Sequence, residues 1–209
     1  MTAADRVPVA ADCAGLWRRT VLIDTDGARD TTTDVRWLQG RTAFVDLRTP
    51  VGRGPKDGFA GWLRQAGEVF TWDRFVGLVP QSHPDEGRMH WDGATLIETG
   101  VHSVYQEHWV RQPVAADPCW ALSLCTDDDD EALLLRVGGL FGWAQHTTGL
   151  VEIALGEVVD GGSWVFTDSS LPDRVGAPLE PTLRDGEVFV ADSGVRQWTV
   201  SNSEGEVDL

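Results

Sequence analysis

Short apolar or alternating runs, each bounded by Gly, Asp, Pro or Ser, recur from one end of the chain to the other. This spacing accommodates antiparallel strands joined by turns and leaves little room for helices between them. The runs are Leu16–Ile23, Thr32–Gln39, Ala43–Leu47, Glu68–Val76, Arg88–Trp91, Thr95–Glu98, Ser103–Arg111, Trp120–Cys125, Ala132–Val137, Leu140–His146, Val151–Val159, Ser163–Asp168, Glu187–Ala191 and Gln197–Ser201. Asp24-Thr25-Asp26-Gly27 and Gly40-Arg41 have the chemistry of tight hairpin connections, so consecutive strands are expected to pair. About a dozen strands suffice to close a barrel and leave pieces to cover it.

One segment departs from this pattern. In Asp57–Ala66, Phe59, Trp62 and Leu63 fall at helical spacing after a Gly/Pro-rich loop, which predicts a short helix near one barrel mouth, as a plug or lid or as a cover for the core. The Pro178/Pro181 stretch and Gly186 read as a loop. At 209 residues the expectation is a flexible N-terminus over 1–14 and a single all-β, antiparallel barrel domain over 15–209.

Composition narrows the function classes. A formal charge of −16 opposes phosphate backbones and anionic lipid, so neither nucleic acid nor membrane is an expected partner. The acidic run Asp127–Asp130 with Glu131 lacks the spaced ligands and turning Gly of a calcium loop and reads as a solvated hairpin tip. Cys13, Cys119 and Cys125 form no CxxC pair, and their odd number is a poor disulfide framework. With no apolar stretch of signal-peptide or membrane-span length, the expected location is cytoplasmic. Lys56 is the single lysine and sits in a loop, an improbable place for Schiff-base chemistry. A homodimer through an exposed barrel edge is compatible with the sequence but not demanded by it.

Alternation within the strands groups the residues that could carry chemistry. Trp17 and Arg19 share one face of their strand, as do Trp37 and Gln39, Phe44, Asp46 and Arg48, Trp72 and Arg74, and Tyr105, Glu107, Trp109 and Arg111. Directed inward, these faces make an aromatic wall with a minority of ionisable groups, the composition of a small-molecule pocket. The alternative is that the charges face water and Val45/Leu47 or Val104/Val110 form the core. The cost of exposing Trp-bearing faces favours the inward reading. Glu107 and Asp46 are the candidate acid/base groups, and Tyr105, the only tyrosine, could donate to a carbonyl or enolate. Arg–carboxylate pairs in such a wall can equally be structural ties.

None of the five histidines forms HExxH or another strong zinc spacing, so no metal site and no cofactor are expected. A single axial histidine, His146 or His108, could hold a haem. No nucleophile elbow, Walker loop or dinucleotide fingerprint is present.

Gly15-Leu16-Trp17 matches the G-x-W that opens many calycins. With Leu16-Trp17-Arg18-Arg19, Asp30-Thr31-Thr32-Thr33, Trp37-Leu38-Gln39, Phe44-Val45-Asp46-Leu47-Arg48 and the stretch from Gly87-Arg88-Met89 through Leu96–Val101 to Tyr105–Arg111, the chain resembles uncharacterised bacterial lipocalin-like (calycin) proteins related to the fungal HRI-type family. The resemblance implies a lipocalin-like barrel and no settled activity. Three functions follow as expectations: binding of a hydrophobic or aromatic small molecule in the barrel, cofactor-free cyclase, isomerase or dehydratase chemistry, and haem binding.

Overall fold

The computed structural model describes residues 7–52, 54–128, 130–159, 161–184, 187–192 and 196–209. It is an all-β molecule in which the strands close into two antiparallel barrels, where the sequence suggests one barrel with extra strands covering it. The first contains β1 (Gly15–Ile23), β3 (Asp34–Gln39), β4 (Ala43–Thr49), β5 (Asp57–Ala66), β6 (Val69–Gly77), β7 (Glu86–Asp92), β8 (Thr95–Gly100) and β9 (Gln106–Arg111), with the two-residue β2 (Arg29–Asp30) appended to β1. Neighbours in sequence are neighbours in space, and β9 closes the circle on β1, with Trp17 opposite Arg111 and Leu22 opposite Glu107.

The second barrel is a meander of β10 (Cys119–Cys125), β11 (Glu131–Val137), β12 (Leu140–Thr147), β13 (Leu150–Val159), β14 (Ser163–Ser169), β15 (Pro178–Arg184), β16 (Glu187–Asp192) and β17 (Arg196–Glu204), closed by pairing of β17 with β10. Among the described residues, no helix is long and apolar enough to cross a membrane.

Three apolar clusters hold the molecule together. One fills the first barrel and includes Trp17, Trp37, Phe44, Phe59, Leu63, Phe70, Trp72 and Trp109. Another fills the second barrel and includes Trp120, Leu134, Phe141, Trp143, Trp164, Phe166 and Trp198. The third lies between them: Leu38, Val45, Leu47 and Ala60 from outer faces of the first barrel pack on Leu133, Leu135, Ala144, Ile153 and Leu155 of the second. Val45 and Leu47 are therefore buried along with Phe44 and Asp46, since both faces of β4 are covered. Glycine sets the spacing of the two barrels. A Cβ on Gly142 would come within 2.7 Å of Val45 Cγ2, and one on Gly40 within 2.5 Å of Leu135 Cδ1.

Polar ties span the same interface. Asp168 of β14 is ion-paired with both Arg36 of β3 and Lys56. Glu204 of β17 accepts from the backbone N–H groups of Thr42 and Ala43 at the β3–β4 turn. Cys13, Cys119 and Cys125 are free thiols, and burial pushes the Cys13 thiol up to about 12.

Two segments differ from the sequence reading. Asp57–Ala66 is the strand β5, not a helix. Its inner face carries Phe59 and Leu63, while its outer face, with Ala60 and Trp62, turns to the interface cluster. Burial on both faces erases the period-two signal and mimics helical spacing. Gly61 fits only a strand pressed against its neighbour, because a Cβ there would lie 2.0 Å from the Asp73 carbonyl oxygen. The Pro178/Pro181 stretch is the strand β15; Gly186 lies outside the described residues. β15 pairs with β14 only at Pro178 and Leu179, so at Pro181 the β14 side carries no ladder and a proline is tolerated in the strand.

Two smaller expectations also change. From Val7 onward the N-terminal segment packs on the first barrel, where Ala10–Cys13 forms a 3-10 turn and Cys13 is fully buried. In the acidic run Asp127 and Asp128 are exposed and residue 129 lies outside the described residues, but Asp130 turns inward and accepts from the Thr148 N–H at 3.1 Å.

Candidate functional site

Strand alternation directs Trp17, Arg19, Trp37, Gln39, Phe44, Asp46, Trp72, Glu107 and Trp109 into the first barrel, where all are buried. They do not fill it. A cavity of about 270 Å³ remains, lined by Leu22, Asp24, Trp37, Asp46, Arg48, Phe59, Trp72, Arg74, His83, Asp85, Glu98, Tyr105, Glu107 and Trp109. Asp24 and His83 are exposed and mark its mouth. Its size exceeds the ~150 Å³ of an apolar cavity that takes up benzene and lies just below the usual range for ligand pockets.

The floor is aromatic. Trp37 stacks on Trp17 with ring centroids 5.7 Å apart and meets Trp72 and Trp109 edge-on at 6.0 and 5.5 Å. Beneath it the closed end of the barrel is fixed by hydrogen bonds: Trp17 Nε1 donates to the Cys13 carbonyl at 2.6 Å, and Trp37 Nε1 to Gln39 Oε1 at 2.9 Å. The Gln39 amide in turn donates to the carbonyls of the β3–β4 turn. Arg111 lies over Trp17 at 4.6 Å and donates to the carbonyls of Ala14 and Asp12. Trp17, Gln39, Phe44 and Arg111 thus support the floor from below and do not line the cavity.

The upper wall is charged, and its charges are paired. Glu107 accepts at 2.6 Å from Arg19, which does not itself line the cavity and also donates to Asp30 at 3.0 Å. Arg48 Nε donates to Asp46 at 2.7 Å, and Arg74 holds Asp85 through Nε and a terminal nitrogen. The Arg74 and Arg48 guanidiniums lie 3.6 and 4.9 Å from the Phe59 ring centroid. Burial pushes the Asp46 carboxyl up, and the Arg48 charge acts against that rise.

Glu98, absent from the sequence-based candidates, completes the wall. It stands directly across from Glu107 in the β8–β9 register and is 3% exposed. Tyr105 Oη donates to its Oε1 at 2.9 Å and Trp109 Nε1 to its Oε2 at 3.2 Å. Space for it comes from Gly87 on β7, where a Cβ would meet Glu98 Cγ at 2.9 Å. Burial first, then the neighbouring Glu107 and Asp85 charges, raise the Glu98 carboxyl well above the ordinary carboxylate range. Burial and the same carboxylates drive the Tyr105 phenol up, so it remains a donor. The signal for Glu98 lay in its strand: Leu96 and Glu98 alternate onto one face, as Glu107 and Trp109 do.

The histidines proposed for haem lie elsewhere. His108 alternates to the outside of β9, where its ring bonds Gln106 at 2.8 Å, and His146 is exposed on the second barrel. Neither lines the cavity. Lys56 is held in the inter-barrel ion pair with Asp168.

No family model matches the chain, and no curated protein matches it. Among solved structures, the chain is similar to the crystal structure of the uncharacterized protein YLR301w from Saccharomyces cerevisiae. The TM-score is 0.64 with 16% sequence identity, over 91% of this chain and 98% of that one, a likeness of fold.

Proposed function

We propose that the first barrel binds one compact small molecule, with its apolar or aromatic body against the tryptophans and its polar groups among the charged wall. The observation that carries this reading is the contrast between the cavity and its surroundings. A molecule that buries three tryptophans and three carboxylates around an unfilled space of about 270 Å³ maintains that space at a cost in packing. In this reading the protein is a calycin-like barrel of the HRI-type and bacterial lipocalin-like kind. It works in a reducing compartment such as the cytoplasm, independently of nucleic acid and membrane, and a homodimer is not needed to complete the site.

A second reading, cofactor-free acid/base chemistry such as isomerisation or cyclisation on the bound molecule, is favoured by one arrangement. A phenol that stays protonated sits on the cavity wall, hydrogen-bonded to a carboxyl pushed towards its acid form. Tyr105 would donate to a developing oxyanion, with Glu98 behind it as proton reservoir. Glu107 and Asp46, held by Arg19 and Arg48, are the remaining carboxylates of the site.

Native mass spectrometry of protein purified from its own host, followed by solvent extraction, tests the binding reading; the expected result is one small molecule per chain. Trp72→Ala should weaken binding of the extracted molecule about tenfold or more, the scale set by losing one large aromatic contact. Binding unchanged in Trp72→Ala would sink the assignment of the cavity. Tyr105→Phe then separates the two readings: a loss of turnover of about a hundredfold with binding retained supports catalysis.

A further inference from the structure

We infer that the molecule held in the first barrel is a small organic cation, an amine on an apolar or aromatic body, and that Glu98 is its counter-ion. This inference rests on the binding reading above and names its ligand class.

The argument is an accounting of charge. Among the described residues, the guanidiniums that line the cavity already have carboxylates, Arg48 with Asp46 and Arg74 with Asp85, and outside the lining Arg19 holds Glu107 and Asp30. Glu98 is the one carboxyl on the buried wall whose hydrogen-bond donors, Tyr105 and Trp109, are both neutral. A buried carboxylate without a cation is costly, whereas one that receives a cation in place is strongly stabilised. The groups facing Glu98 sharpen this imbalance. Glu107 stands across from it on β9 and Asp85 precedes β7, while Arg48 on β4 offsets them only in part; Tyr105 supplies a neutral hydrogen bond.

The aromatic faces point the same way. Among the described residues no guanidinium lies over Trp37, Trp72 or Trp109, which line the cavity, whereas Phe59 is covered by Arg48 and Arg74. An ammonium near Glu98 would lie among indoles, the rings that attract cations most strongly. In the free protein burial, then the like charges of Glu107 and Asp85, push Glu98 towards its protonated form. Binding of R–NH3+ favours the anion, so Glu98 gives up its proton to solvent as the amine enters, and affinity rises with pH.

The test is isothermal titration calorimetry of the intact protein with phenethylamine, 2-phenylethanol and phenylacetate, at pH 7 in two buffers of different ionisation enthalpy. We expect phenethylamine to bind about tenfold or more tighter than 2-phenylethanol, with a net release of protons that the alcohol does not show. Glu98→Gln should remove both the preference for the amine over the alcohol and the proton release. Wild-type proton release is itself a readout that survives if the variant folds poorly. Tightest binding of phenylacetate, or an amine preference no greater than that for the alcohol, overturns the inference and leaves the cavity reading standing. If none of the three binds, the cavity reading falls and this inference with it.

Discussion

The two barrels have the same number of strands and the same next-neighbour topology, yet their interiors are built differently. The second is closed with bulk: Trp120, Trp143, Trp164, Trp198, Phe141 and Phe166 interlock, with Phe141 and Trp164 centroids 5.2 Å apart. Among its buried carboxylates, Glu152 accepts from Gln145 at 2.6 Å and from Ser169 and Arg174 at 2.9 Å each. The first barrel carries as many tryptophans low in its interior but interrupts them above with paired charges and leaves space. The comparison teaches that closure of a barrel does not decide between core and pocket. Placement of ionisable residues on the inner face does, because charges that must be paired and hydrogen-bonded cannot be packed as densely as hydrocarbon.

Substitutions can break or sharpen this contrast. The largest effect is expected in the second barrel: Trp143→Ala should lower unfolding free energy by about 3–5 kcal/mol in denaturant titration, the cost of removing a fully buried indole packed against Trp198. A loss below about 1 kcal/mol would mean that the second interior is not close-packed. Next, Arg19→Ala leaves Glu107 and Asp30 without their buried cation and should cost about 3 kcal/mol by the same measurement.

Smaller and of opposite sign is Glu98→Gln. The folded state holds the Glu98 proton above the pH at which the unfolded chain releases it. Its stabilising contribution is therefore complete below about pH 4.5 and is lost as pH rises towards the raised folded value. The Gln variant should melt higher than wild type at neutral pH, by about 2–4 °C for each kcal/mol relieved, with a flatter dependence of Tm on pH. A lower Tm at pH 7 would show that the ionised carboxylate is already compensated. Least of all, Arg64→Ala, which breaks the exposed pair with Asp73, should stay within about 0.5 kcal/mol and serves as the surface reference.

What was legible in the sequence follows from the same physics. Strands with one wet face announced themselves by alternation, so β1, β6 and β9 and their inward tryptophans could be read directly. β5 could not, because burial between two barrels removes the polar half of the pattern. Division into two closed sheets was also hidden: segment 112–118 between β9 and β10 has the composition of any other turn, and closure depends on pairing between strands distant in sequence. Within the site, Trp37, Trp72, Trp109, Asp46, Arg48, Arg74, Tyr105 and Glu107 were found through shared faces. Glu98 was missed because its run, Thr95–Glu98, is short and carries no aromatic to mark its inner side.

The apolar seam between the barrels has a thermal consequence. Leu38, Val45 and Leu47 on one side and Leu133, Leu135 and Ile153 on the other lose their shelter together, so neither barrel melts while the other stands. The whole chain should give a single calorimetric peak, and a molecule that enters the first barrel should move that peak as if it were bound to both.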